Sequence, residues 1–427
     1  MNDHEEFRIS GGQPSAARGE ARPPVPRIRF KEFGGAWETR PLGELFSIRN
    51  ESNESGEVRE ILSVLKDVGV IPYSEKGRIG NRAKDDVTKY RIARKGDIVL
   101  NSMNVIIGSV GYSAYDGCIS PVYYALTPNE NADSPFWGRW FWRNEAKQML
   151  SRVACGMMEI RRKVSEADLL EIQTPAPSLP EQRRIAELFR NLDETIAATD
   201  ARLEKLRQSK KSLLEKMFPR PGASVPEIRF KGFEGEWKTR KLGEIATLIT
   251  RKNTAMESNL PLTISAERGL ISQTTYFNNR IAAQNVVHYY LILNGEFAYN
   301  RSSSDGSPFG AVKRLDSFGK GVLSTLYTVF ALKKKTVDSD FLSVFFSTGL
   351  WHRDVRLRAA EGARNHGLLN ISASDFFETE VLSPVSISEQ QRIGSFFREL
   401  DKLIESVQKK TTKLRQVKSA LLEEMFV

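Results

Sequence analysis

Two stretches of the chain place apolar residues in alternating steps of four and three. The first runs through Ile185, Phe189, Leu192, Ile196, Thr199, Leu203, Leu206, Lys210, Leu213 and Met217. The second repeats the steps through Ile393, Phe397, Leu400, Ile404, Val407, Thr411, Leu414, Lys418, Leu421 and Met425. A seam sustained over more than four heptads predicts a long coiled-coil helix in each place. At about 1.5 Å per residue each helix spans roughly 58 Å. Ser178 with Glu181, and Ser386 with Glu389, form a capping-box pattern at each start. Pro219 and Pro221 end the first helix.

Elsewhere the pattern is that of short strands and aromatic helices. "GDIVLN" (96–101) parallels "GEFAYN" (295–300), and "ISPVYYAL" (119–126) parallels "LSTLYTVF" (323–330). All four read as strands. Each pair is followed by one helix-like aromatic run, "SPFWGRWFWRNEAKQMLSRVA" and then "DSDFLSVFFSTGLWHRDVRLRAA".

These parallels belong to an internal repeat. "PRIRFKEFGGAWETRPLGEL" (26–45) matches "PEIRFKGFEGEWKTRKLGEI" (226–245) at thirteen of twenty positions. "KLRQSKKSLLEKMF" (205–218) matches "KLRQVKSALLEEMF" (413–426) at ten of fourteen. Each half opens alike and ends alike, while the middles have diverged. The expected fold is α+β: two mixed α/β domains joined by two long helices in an internal pseudo-two-fold repeat. Expected boundaries are a disordered tail (1–25), a first domain (26–178), a first helix (179–218), a linker (219–225), a second domain (226–386) and a second helix (387–427). Lys210 and Lys418 hold equivalent seam positions. Parallel pairing would bring these charges face to face, so the helices are expected to pair antiparallel.

Composition narrows the function. The chain has 427 residues, a formal charge of +10 and only two cysteines, Cys118 and Cys155. Two cysteines fit reduced, unpaired thiols in the cytoplasm. No apolar stretch reaches the length of a membrane span, and "MNDHEEFRIS" lacks a signal-peptide core. The basic surplus suits a polyanion.

The sequence offers no catalytic constellation. His4, His288, His352 and His366 show no metal-ligand spacing, and no phosphate-cradling or dinucleotide motif is present. A nuclease-like pattern can be drawn only through Asp133, Glu145 and Lys147, without a counterpart in the second half. Neither catalytic residues nor metal ligands are therefore expected.

Basic and polar loops recur instead at equivalent places in both halves. Candidate DNA contacts in the first are Arg82, Lys84, Arg91, Asn101, Asn104, Arg161 and Arg162. In the second they are Arg268, Asn300, Arg301, Ser302, Ser303, Arg364 and His366. Arg, Asn and Ser on turns beyond strands can reach phosphates or base edges.

The paired "IRF…F.G.W.TR.LGE" openings, with "TPAPSLPEQRRIAELFRNLD" (174–193) and "LSPVSISEQQRIGSFFRELD" (382–401), resemble the specificity subunits of type I restriction–modification enzymes. The likeness covers almost the whole chain, twice. It implies that each middle is a target recognition domain reading one half of a bipartite double-stranded DNA site. It also implies that the helices set the spacing and dock two methyltransferase subunits, with motor-nuclease restriction subunits joining through them. S-adenosylmethionine would then bind the partners, leaving this chain without a cofactor. The residues alone leave two other readings open: a single-chain DNA-cleaving or DNA-modifying enzyme, and a structural coiled-coil adaptor.

Overall fold

The computed structural model describes residues 7–9, 24–65, 68–76, 86–103, 109–154, 163–265, 269–274, 285–302, 307–333, 337–359, 369 and 371–427. The chain divides into two compact units, residues 1–200 with 410–427, and residues 201–409. Each unit thus takes part of both long helices, a partition different from the expected domain-then-helix boundaries.

The first half of the chain begins with β1 (Phe7–Ile9), β2 (Ile28–Phe30), β3 (Glu38–Pro41) and β4 (Phe46–Ile48). It continues through β5 (Leu62–Leu65), β6 (Gly69–Pro72), β7 (Arg91–Ala93), β8 (Ile98–Asn101), β9 (Val110–Tyr112), β10 (Gly117–Ile119) and β11 (Tyr123–Pro128). Helices α1 (Ser134–Trp140), α2 (Asn144–Val153) and α3 (Glu166–Leu170) follow, then β12 (Gln173–Ala176) and α4 (Leu179–Met217).

The second half repeats the plan. It has β13 (Lys238–Lys241), α5 (Leu242–Ile245), β14 (Ala246–Leu248), β15 (Leu262–Ser265) and β16 (Gly269–Ser272). After them come β17 (Tyr290–Leu293), β18 (Phe297–Asn300), β19 (Ala311–Arg314), β20 (Lys320–Leu323) and β21 (Thr328–Leu332). Helices α6 (Ser339–Phe345), α7 (His352–Arg358) and α8 (Ala373–Phe377), β22 (Glu380–Ser383) and α9 (Ile387–Glu424) complete it.

An antiparallel four-stranded sheet centres each unit, in the order β4-β11-β8-β9 and again β14-β21-β18-β19. It lies between two cores, which explains why its strands read as continuous apolar runs. Ile98 and Leu100 face the larger core of the first unit, while Val99 between them faces the smaller. Phe297 and Tyr299 do the same around Ala298 in the second.

The aromatic runs each form two helices where one was expected. In the first, α1 stops at Trp140 and α2 starts at Asn144. The break turns Trp142 so that its Nε1 donates to Val110 O (2.6 Å), while Trp137, Trp140 and Phe141 stay buried. In the second, Thr348 Oγ1 donates back to Phe345 O (2.6 Å) and closes α6. One straight helix could not aim all of these large rings at a single core.

The segment expected as a disordered tail contributes β1, which pairs antiparallel with β2; the rings of Phe7 and Phe30 lie 5.0 Å apart.

The long helices pair antiparallel within each unit. In the first, Lys418 meets Asp193 (2.6 Å) and Arg415 meets Asp200 (2.7 Å), so contacts climb α4 as they descend α9. In the second, Lys210 meets Asp401 and Arg207 donates to Gln408 (3.0 Å), running in the same opposed sense. Of the seam, Ile185, Phe189, Leu203, Met217, Ile393, Phe397, Val407 and Met425 are buried. Leu192, Ile196, Leu206, Leu213, Leu400, Ile404, Leu414 and Leu421 are half-buried.

Each core is closed by the phenylalanine that ends the other repeat. Phe426 stacks on Phe136 (5.0 Å), and Phe218 stacks on Phe341 (5.6 Å). Gly394 allows α9 to press on α6, because a Cβ there would lie 2.6 Å from that of Asp340.

Candidate nucleic-acid interface

Each long helix is joined to its domain through a buried ion pair. Glu181, buried at the start of α4, takes Arg29 Nε and Nη2 on its two carboxylate oxygens, both at 2.7 Å. Glu389 binds Arg229 likewise (2.6 and 2.7 Å). These glutamates were expected to close capping boxes; Ser386 Oγ does accept from Glu389 N (3.4 Å), but both carboxylate oxygens of each glutamate hold an arginine from the repeated "IRF" opening. A buried carboxylate needs such a partner, because an unpaired charge there is costly.

The next residue ties the same joint to the aromatic helices. Gln182 Oε1 accepts from Asp133 N and Trp137 Nε1, both at 2.9 Å. Its Nε2 donates to Asn131 O (3.0 Å) and Pro177 O (2.9 Å). Gln390 repeats this toward Asp338 N (2.8 Å) and Pro384 O (2.7 Å). Asp133 in turn caps α1 through Phe136 N, and Glu145 pairs with Arg143 (3.0 Å). Two members of the nuclease-like pattern are therefore engaged in capping and ion pairing.

From this fixed joint the sheet carries its loops. β8 ends at buried Asn101, whose Oδ1 accepts from Met103 N (3.1 Å). Ser102 Oγ donates to Val122 O (2.6 Å), and Ser102 O accepts from Val164 N (3.2 Å). The segments after β8, before β11 and before α3 thus converge on one serine.

The second unit builds the same convergence with other residues. Asn300 Oδ1 accepts from Ser302 N (3.0 Å). Arg301 donates through Nε to Leu326 O (3.3 Å) and through Nη1 to Ile371 O (3.0 Å), while Leu369 N donates to Arg301 O (3.0 Å). Tyr299 OH donates to Phe309 O (2.9 Å), and burial pushes this phenol well above its usual range. Gly310 has φ +78°, and a side chain there would strike the Asn300 carbonyl. Only glycine meets both demands comfortably.

Of the sequence candidates, the structure brings Asn101 in one unit, and Asn300, Arg301 and Ser302 in the other, to equivalent sheet ends. Arg91 sits on β7, paired with Glu166 (3.0 Å) and over the Tyr124 ring. Arg82, Lys84, Asn104, Arg161, Arg162, Arg268, Ser303, Arg364 and His366 lie outside the described residues. Sequence reasoning missed the Arg29–Glu181 and Arg229–Glu389 joints and the Gln182 and Gln390 ties. Their signal was the identity of "IRF" and "EQ" in both halves.

Deeper in the domain, Arg49 grips Asp97 (2.8 Å) and Arg251 grips Glu296 (2.7 Å). Burial pushes the Cys118 thiol up to about 11. Among the described residues, no cluster of three or more His, Cys, Asp or Glu side chains could hold a metal ion. No helix among them is long and apolar enough to cross a membrane.

A chain that builds one mixed domain twice, each clamped to a long helix and each presenting loops at one sheet end, has the form of a two-part recognition scaffold. The model of the type I restriction modification DNA specificity domain matches residues 35–208 and again 234–416, and the chain belongs to that family. The putative type I restriction enzyme MjaX specificity subunit of Methanocaldococcus jannaschii is 22% identical over 206 residues, 45% of this chain and 48% of that protein. The match thus spans about half the length of that curated relative.

Among solved structures, the S subunit of a type I restriction-modification system from M. genitalium superposes with a TM-score of 0.55 at 15% identity, over 92% of this chain and 96% of that one. It shares the fold. The HsdS subunit from Thermoanaerobacter tengcongensis aligns over 91% of this chain and 96% of its own at 15% identity, with a TM-score of 0.46.

Proposed function

We propose that this chain is the sequence-reading subunit of a type I restriction–modification assembly in the cytoplasm. Each unit reads one half of a bipartite site in double-stranded DNA, and the chain itself catalyses nothing. The observation that supports this best is the repetition itself. One sheet end with converging segments occurs twice, on identical joints, while the residues at its tip differ: Ser102 and Met103 in one unit, Arg301 and Ser302 in the other. A shared frame with differing tips suits a target whose two halves differ in sequence. Basic loops supply salt-sensitive affinity through phosphates, and the differing side chains around these braced turns discriminate bases.

Two methyltransferase subunits bind along the long helices, carrying S-adenosylmethionine, and motor-nuclease subunits join through them. Exposed Phe396, Leu403 and Val417 on α9 fit such a covering partner. The test is expression with the system's methyltransferase in a host lacking it, followed by genome-wide mapping of methylated adenine. A single bipartite motif is expected. Exchanging residues 246–386 for those of a related chain should change one half of it. No motif, or a change in both halves, would overturn the reading.

A further inference from the structure

Two turns at the loop-bearing sheet ends carry an unusual side chain. Tyr123 N donates to Ser120 O (2.9 Å) and Tyr327 N to Ser324 O (3.1 Å), closing tight turns just before or within the strand that enters the sheet. The third residue of each turn is apolar and exposed: Val122 at 39% and Leu326 at 52%. Such positions favour Gly, Asn, Asp and Ser, which suit the turn and its contact with water. A single exposed apolar residue needs no explanation. Two at equivalent turns of domains that have otherwise diverged do.

Both are held rigid from behind. The Val122 carbonyl accepts from Ser102 Oγ (2.6 Å) and from Ser102 N (3.3 Å). The Leu326 carbonyl accepts from Arg301 Nε (3.3 Å), the guanidinium also being fixed on Ile371 O. Different chemistry thus braces the same backbone point in each unit, directly after the Asn101 and Asn300 turns. The brace fixes the main chain and leaves the aliphatic group in solvent. A fixed aliphatic group has no donor or acceptor. In a major groove the only feature of a base edge it can recognise is a C5 methyl group.

We infer that Val122 and Leu326 are specificity-determining residues, each packing on a thymine methyl group in the part of the target its unit reads. The inference rests on the proposed DNA-reading function and adds the base and the side chains. It also gives Arg301 a bracing role behind Leu326.

The test uses the full chain co-purified with its methyltransferase subunits, and duplexes bearing the mapped target. Each thymine in turn is replaced by deoxyuridine, which lacks only the methyl group. Competition binding is read for the wild type, Val122→Ser and Leu326→Ser. In the wild type, one uracil in each half should weaken binding about fourfold, the worth of one buried methylene. Val122→Ser should abolish that sensitivity in one half, and Leu326→Ser in the other. Unchanged thermal unfolding of both variants would show that the serines fit the turns. Selective binding without any uracil-sensitive position, or with sensitivity unaltered in both variants, overturns the inference and leaves the DNA-reading function standing. Loss of all sequence selectivity in the wild type overturns that function and the inference with it.

Discussion

Lys418 Nζ lies 2.6 Å from Asp193 Oδ1, so a lysine on the seam of one long helix is neutralised by an aspartate near the start of the other. Lys210 and Asp401 make the equivalent pair in the second unit. The two lysines that would repel in a parallel pair each gain an acid in the antiparallel one. Both pairs are partly exposed, so each contributes modestly, about 0.2–1 kcal/mol. Their larger effect is on orientation. Asp193 also holds Arg139 (2.8 Å), so the orientation is tested on the neighbouring pair: Arg415→Glu should lower the unfolding midpoint, and adding Asp200→Arg should recover most of the loss. Calorimetry of the single and double variants checks this; equal midpoints for both would show that the pair is irrelevant to helix pairing.

The Arg29–Glu181 joint is buried and carries more. Glu181→Gln leaves the guanidinium without its carboxylate, a change that costs about 3–5 kcal/mol for a buried pair. Replacing both partners, as in Arg29→Met with Glu181→Leu, should be less damaging than Glu181→Gln alone. Urea titration distinguishes the cases. A double variant as unstable as the sum of its singles would remove the coupling claimed for the joint.

Long-range pairing of the repeats was legible because the two ends of each half kept the same residues and the heptad steps never slip. The seam lysines even indicated the direction of pairing. The strands around Ile98–Asn101 and Phe297–Asn300 were legible from short apolar runs. The breaks inside the aromatic runs were not, because helical periodicity does not say where Trp142 needs to turn toward Val110. The joints were hidden for a similar reason. Arg29 and Glu181 lie far apart in sequence, and a glutamate three residues after a serine fits a capping box as well as a buried ion pair. At the tips, Asn101 and Asn300 stood out as polar residues ending strands, whereas their use in bracing turns depends on tertiary contacts.

Phe426 closes the core of the first unit against Phe136 and Phe189, and Phe218 closes the second against Trp237 and Phe341. Truncating either to alanine should cost about 3–5 kcal/mol. Hydrogen exchange resolves where the loss falls. Phe426→Ala should raise exchange around α1 and the start of α4, and Phe218→Ala around α6 and the start of α9. The reverse pattern would contradict the assignment of these rings.

Cys118 is fully buried, and burial raises its thiol to about 11. Folding favours the neutral thiol, so its contribution is complete below the unfolded value near 9 and is lost as pH rises through 11. In a Cys155→Ser variant, alkylation at pH 8 should therefore be slow in the native protein and fast in urea. Rapid native labelling would show that this part of the sheet opens readily.

The first unit is made from both ends of the chain, residues 1–200 and 410–427, whereas the second is the continuous stretch 201–409. During synthesis the order of completion is then inverted. Residues 1–200 emerge first, but the partner turns of α9 and the ring of Phe426 follow only after the whole of 201–409. Until then the groove along the start of α4 stands open, with Ile185 and Phe189 uncovered by α9. The second unit can close before it. The earlier-made unit therefore closes after the later-made one, and it is the unit that keeps apolar surface uncovered for longer during translation.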